Sequence, residues 1–385
     1  MTKILFLIHD LHHGGAEKVL VNLVNNMDPI QFEIHVTALF GGGVNEQFLK
    51  PHVHFRAIFP RSFPGNSHVM KLFSPGLLHR LFVKEHYDIE IAYLEGPASR
   101  IISGCADPDT KTVCWIHCTM KSAEEFAVGF RSAEEAKECF ARFDRGVFVS
   151  KGVMDAFRSF CPMERMQVLY NTNESGKILT LAQEPVPAEL FPGGEFSMIG
   201  VGKIEEVKGF DRLARIHTRL CREGYGVHTY ILGTGSRESE LRQYLEQEGL
   251  SDSFTFLGYQ TNPYKYVSKS DLFVCSSLSE GFSTAATEAL IVGTPVCTTR
   301  VSGMEEMLGE HNEWGVITDN DEDALYEGIR HLLDHPETLA HYRKMAAIRG
   351  KNYSTQETTC SVETYFQTIM QREVHNGLYY HKSHT

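Results

Sequence analysis

Residues 4–24 read ILFLIHDLHHGGAEKVLVNLV. The run from Ile4 to His9 is apolar and short enough for a strand. It stops at Gly14 and Gly15, and Val19, Leu20, Leu23 and Val24 then recur at helical spacing. Strand, glycine turn and helix are the opening of a nucleotide-binding α/β domain. Further apolar runs at 32–39, 53–58, 89–93, 112–117, 146–150 and 167–170 are expected as strands, with helical stretches such as 123–143 between them. Such alternation predicts a mostly parallel, doubly wound sheet.

A second series follows. Residues 174–194 contain Pro185, Pro187 and Pro192 and end in Gly193 and Gly194, so a linker is expected there. Runs at 196–201, 228–232, 254–257, 272–275, 295–298 and 315–317 are then expected as strands. A last helix is expected at 358–372, before a tail. With 385 residues the chain exceeds what one core sustains. The expected domains are 1–175 and 176–357, with 358–385 returning to the first.

A net charge of −12 gives no global attraction to nucleic acid, so no nucleic-acid partner is expected. The nine cysteines form no framework, and the start MTKILFLIHD lacks the layout of a secretory signal. Both point to a reducing, cytoplasmic compartment. No apolar run is long enough to span a bilayer. Peripheral contact with the inner face of the cell membrane stays open.

Two loops carry the chemistry. Residues 279–289, SEGFSTAATEA, follow an expected strand end at Cys275. Ser283 or Thr284 can cap a helix there, whose free N–H groups form an anion site suited to a diphosphate. Glu280 precedes the cap and Glu288 lies about one turn inside the helix, two carboxylates able to accept hydrogen bonds from hydroxyls. Residues 200–210, GVGKIEEVKGF, follow the first strand of the second series. Lys203 and Lys208 can neutralise a diphosphate leaving group, an electrostatic contribution that is usually large in such displacements. Taken singly, each loop also reads as a solvated charged surface.

Together these features resemble glycosyltransferase family 4, the retaining group with two Rossmann-like domains facing each other across a cleft (GT-B). The resemblance rests on Gly14–Glu17 (GGAE), Trp115 and His117 at a strand end, the loop from Gly202 to Gly209, and the pair Glu280 and Glu288, in family order. The segments 231–235 (ILGTG) and 254–259 (FTFLGY) also fit. It implies that Glu280 contacts donor-sugar hydroxyls and that Glu288 holds the ribose. Lys203 and Lys208 would grip the diphosphate, and Gly14 and Gly15 would let backbone approach the phosphates. His117 would sit beside the sugar, and Tyr259 would belong to the pocket for the base. A UDP- or GDP-linked donor, a glycan or lipid-linked acceptor, and no metal or other cofactor follow from the same likeness. Domain closure would exclude water. The family often has Arg where Lys203 stands and Pro where Ser283 stands. Lysine loses the bidentate fork, and serine gains a capping oxygen.

Other patterns are weaker. Cys114 and Cys118 point away from His117 on an alternating strand, so one tetrahedral metal site is hard to build. Asp107-Pro108-Asp109 and Asp319-Asn320-Asp321 read as polar turns. Gly233 and Gly235 are a fragment of a dinucleotide fingerprint, which leaves a dehydrogenase the weakest rival. A nucleotide-sugar epimerase and a non-catalytic nucleotide-sugar sensor are the other two. Residues 68–86 mix Met70, Leu72, Phe73, Leu77, Leu78, Leu81 and Phe82 with Lys71, Arg80 and Lys84, interrupted by Pro75 and Gly76. A core-packed helix is the commoner reading of such a segment; a surface for membrane or a lipid-linked acceptor is the other.

Overall fold

The computed structural model describes residues 1–377 apart from His13 and Pro192. Among the described residues, 1–173 and 355–377 form one compact unit and 174–354 another. Thirteen parallel strands are present, at the expected places with ends shifted by at most two residues.

In the first unit the strands are β1 (Thr2–Ile8), β2 (Phe32–Phe40), β3 (Val53–Phe59), β4 (Ile89–Tyr93), β5 (Lys111–Ile116), β6 (Arg145–Phe148) and β7 (Met166–Val168), in the order β3-β2-β1-β4-β5-β6-β7. Ile4 to Ile8 are fully buried, as expected of a parallel strand covered on both faces. The helix Gly15–Asn26 buries Val19, Leu20, Leu23 and Val24. The final helix, Thr355–Gly377, returns to this sheet. Phe366 meets the Phe6 and Phe32 rings at 6.3 and 6.4 Å, and Glu363 accepts a hydrogen bond from the Asp28 amide at 2.6 Å.

In the second unit β8 (Phe196–Val201), β9 (Val227–Leu232), β10 (Phe254–Gly258), β11 (Leu272–Cys275), β12 (Val296–Thr299) and β13 (Val316–Thr318) run in the order β10-β9-β8-β11-β12-β13. Each sheet therefore reverses its winding once, beside β1 in the first and beside β8 in the second. At such a switch point two loops leave the carboxyl ends of neighbouring strands in opposite directions, and a crevice opens between them.

Two expectations need correction. The stretch 123–143 is not one helix. It forms Ala123–Phe126 and Ala133–Phe140, each capped by its own serine, Ser122 and Ser132. Gly129 between them has φ +86°, and a Cβ there would fall 2.6 Å from Gly96 backbone. The stretch 174–194 is not a free linker. Helix Ser175–Leu181 belongs to the second unit, where Asn262 donates to the Leu181 carbonyl at 2.9 Å. Residues 68–86 are interrupted at Pro75, as expected. Helices Asn66–Lys71 and Pro75–Phe82 are separated by a turn, with Leu78 buried and Leu72 76% exposed. The segment therefore has one buried anchor and several exposed apolar side chains.

Candidate active site

In the second unit, the loops after β8 and β11 meet. Gly209, at φ +61°, turns the chain into helix Phe210–Arg222, and a Cβ there would lie 2.1 Å from the Ser276 carbonyl. The β8 loop is thereby pressed against the β11 loop, and Ser276 Oγ donates to the Lys208 carbonyl at 2.9 Å. Lys208 Nζ reaches Glu280 Oε1 at 2.6 Å, and Ser277 Oγ donates to the same oxygen at 2.6 Å. Burial disfavours the Lys208 charge, but the Glu280 carboxylate outweighs it and raises the lysine above its ordinary pKa. Lys208 is therefore a fixed cation at the switch point.

Ser283 is the N-cap of helix Thr284–Ile291, accepting from the Ala286 amide at 3.3 Å, with Thr284 as the first helical residue. Glu288 lies in the next turn. It is buried and accepts a hydrogen bond from Tyr264 at 3.2 Å. Lys203 is exposed on the β8 loop, and Tyr259 is exposed just beyond β10. The β9 loop locks onto the β8 loop, because a Cβ on Gly233 would sit 1.9 Å from the Gly202 carbonyl. The structure thus brings Lys208 and Glu280 together, sets Ser283 and Thr284 at a helix start, and anchors Glu288.

In the first unit, Gly14 is an extended N-cap to helix Gly15–Asn26, and the Glu17 carboxylate occupies the place its Cβ would fill. Gly15 is exposed. His117 follows β5. It is 8% exposed, its amide donates to Glu95 at 3.0 Å, and its ring lies 4.6 Å from that of Tyr93. Burial lowers its pKa from 6.5 to about 3, so the imidazole is neutral. Among the described residues, His117 Nε2 has no hydrogen-bond partner, nor have the Tyr93 hydroxyl and Trp115 Nε1 beside it. Buried polar atoms without partners are rare, and they collect where a ligand or water completes the set. A cavity of about 500 Å³ opens at this end of the first sheet, lined by His9, Lys71, Pro97, Glu124 and Val128.

Sequence reasoning missed Ser277, Tyr264 and Tyr93. Tyr93 pairs with Trp115 in the β4–β5 register, so alternation could have placed it on the His117 face. The other two carry no spacing signal. The discounted metal patterns are accounted for otherwise. Cys114 donates to the Arg145 carbonyl, Asp107 accepts from the Asp109 amide in a tight turn, and Asp321 caps helix Glu322–Asp334.

Both sheets thus carry polar loops at their switch points, where open α/β sheets bind ligands. Residues 13–172 match the family model for Glycosyltransferase Family 4, and residues 183–349 match that for Glycosyl transferases group 1. The chain belongs to this family of glycosyltransferases and has the GT-B fold. It is 24% identical over 364 residues (92% of this chain, 96% of the relative) to the N-acetylgalactosamine-N,N'-diacetylbacillosaminyl-diphospho-undecaprenol 4-alpha-N-acetylgalactosaminyltransferase of Campylobacter jejuni. It is 27% identical over 215 residues (54% and 58%) to the lipopolysaccharide core biosynthesis mannosyltransferase LpsB of Rhizobium meliloti. Among solved structures, Anabaena HepE in complex with UDP-glucose superposes with a TM-score of 0.74 at 19% identity, covering 96% of this chain and all of that one. No described helix is long and apolar enough to cross a membrane.

Proposed function

We propose that this glycosyltransferase moves a hexose-type sugar, with retention of configuration, from a UDP-linked donor to a hydroxyl of a lipid-linked glycan. The observation that carries the reading is the Lys208–Glu280 pair beside the Ser283-capped helix. One cation and one helix N-terminus would meet a diphosphate, and one carboxylate would accept from sugar hydroxyls. Uridine is preferred over guanosine because HepE, of the same fold, holds UDP-glucose. The lipid-linked acceptor is preferred because the Campylobacter relative is named for a diphospho-undecaprenol substrate.

In this reading Glu288 holds the ribose, Tyr259 borders the base, and Lys203 and Lys208 grip the diphosphate. Gly14 and Gly15 let backbone come close to it. As the sugar–phosphate bond breaks, negative charge on the leaving diphosphate is met by Lys208, Lys203 and the helix amides. Positive charge grows at the anomeric carbon, beside Glu280 and His117. The acceptor hydroxyl attacks from the face the diphosphate leaves, and the departing phosphate takes the hydroxyl proton. No metal enters the scheme. The cavity lined by His9 and Lys71 suits the acceptor, and the exposed Val69, Leu72, Phe73 and Leu81 suit a membrane surface holding its lipid.

A thermal-shift screen of UDP- and GDP-sugars tests the donor, since a ligand in excess raises Tm by mass action. A rise with one UDP-sugar, followed by UDP release that requires an acceptor, is the expected result. Conversion of the donor without acceptor would instead identify an epimerase. Binding of every nucleotide sugar without turnover would identify a sensor.

A further inference from the structure

Away from the catalytic loops, three potential metal ligands converge from three separate elements of the first unit. His79 comes from helix Pro75–Phe82, Glu90 is the second residue of β4, and Cys105 follows helix Pro97–Ile102. Their ligand atoms all lie within 4.8 Å of one another. His79 Nε2 is 2.7 Å from Glu90 Oε2, and the Glu90 side chain is only 3% exposed. The convergence depends on a close backbone approach. A Cβ on Gly104 would lie 2.2 Å from the Pro75 carbonyl, so only glycine lets the segment carrying Cys105 meet the start of the helix carrying His79.

A carboxylate buried this deeply needs a cation against it. One imidazole nitrogen, one thiolate and one carboxylate are a donor set of mixed softness that suits zinc, and one ion can meet all three once the 2.7 Å His79–Glu90 contact widens slightly.

We infer that His79, Glu90 and Cys105 bind one zinc ion, with water as the fourth ligand. The ion displaces the imidazolium proton and the thiol proton to solvent. Glu90 lies toward the amino end of β4, whereas the catalytic loops leave the carboxyl ends. The ion is therefore a staple that fixes helix Pro75–Phe82 to the sheet, and it takes no part in sugar transfer.

Cobalt(II) added to the metal-free full chain tests this. One equivalent is expected to give tetrahedral visible bands and a near-ultraviolet sulfur-to-metal band, both lost in Cys105→Ser and kept in Cys118→Ser, a control at an exposed thiol. Cobalt bound without a sulfur band would overturn the assignment. That outcome would point to the thiol-free trio Glu33, His35 and His54. A second test uses the unaltered chain and so survives any folding defect of a variant. One equivalent of zinc is expected to slow iodoacetamide alkylation of Cys105 at least tenfold while leaving Cys118 unchanged, as read by peptide mass spectrometry. Equal alkylation of Cys105 with and without zinc would also overturn the assignment.

Discussion

His117 in the first unit and His217 in the second are both buried, and both are neutral for the same first reason. Burial lowers their pKa values from 6.5 to about 3 and about 4, respectively. Their hydrogen bonds differ. His217 Nε2 faces Ser253 Oγ at 2.9 Å, and Nδ1 faces Thr229 Oγ1 at 3.0 Å, so both nitrogens are satisfied inside the fold. His117 Nε2 meets no such group among the described residues. A buried histidine that serves packing is completed by its own protein, and one that serves a ligand leaves an atom open. His217 is completed inside the fold, and His117 keeps the open atom that its proposed place beside the donor sugar would use.

Replacing each by alanine gives the widest expected separation. His117→Ala should lower turnover by about 10²–10³-fold, the loss typical of removing one polar group from a reacting centre. His217→Ala should leave turnover within about twofold of the unaltered chain. It should cost about 2–4 kcal/mol of stability, because a cavity opens and two hydroxyls lose their partner. Steady-state kinetics and denaturant unfolding on the same samples check both. Full activity in His117→Ala would end its assignment to the donor sugar.

Lys208 sharpens the contrast, because it is partnered in the resting fold and is nonetheless assigned to chemistry. Lys208→Met should lower kcat about 100-fold with a donor of known identity, since the cation facing the leaving diphosphate is gone. Lys208→Arg should recover part of it. If Lys208→Met only destabilises the chain and kcat holds, partnering by Glu280 is structural and the open-atom criterion extends to every residue here.

Acid should treat the two histidines alike where mutation does not. Both have folded pKa values depressed below the unfolded 6.5. The unfolded chain therefore binds protons that the folded chain refuses, and stability present above pH 6.5 is lost as pH falls toward about 4 and 3. By pH 5 each contributes a loss of about 2 kcal/mol. In the metal-free chain His79, raised to about 9, acts in a different window: its contribution is complete below pH 6.5 and is lost as pH rises through 9. Tm measured from pH 7 to 4.5 should fall, and less steeply in His217→Ala. A flat profile would mean that neither ring is held neutral.

Why was so much of this visible beforehand? Central strands buried on both faces are apolar runs, so those such as Ile4–Ile8 could be read without knowing what covered them. Glu280, Lys208 and Ser283 were legible because a loop after a strand end fixes where they must lie. The break at Gly129 was not legible, because it depends on backbone of Gly96, 33 residues away in sequence. The prolines at 185 and 187 mark a break in regular structure, but the stretch that holds them belongs to the second unit. His79, Glu90 and Cys105 have spacings of no known motif, since a sheet and two helices assemble them.

Tyr264 is the finest test of the comparison, and its expected effect is the smallest. Its hydroxyl donates to Glu288 at 3.2 Å, inside the buried floor of the second unit. If Glu288 accepts from the ribose, Tyr264 orients that carboxylate without touching the reacting atoms. Tyr264→Phe keeps the ring and removes one hydrogen bond to a charged acceptor, worth about 1.5–3 kcal/mol at most and less where the carboxylate can turn. Donor KM should then rise about three- to tenfold with kcat nearly unchanged, because ribose binding contributes equally to ground and transition states. A purely structural tyrosine would instead lower Tm and leave KM alone. An equal fall in kcat and kcat/KM would move Glu288 from the ribose to the reacting sugar, and with it the boundary between residues that hold the donor and residues that act on it.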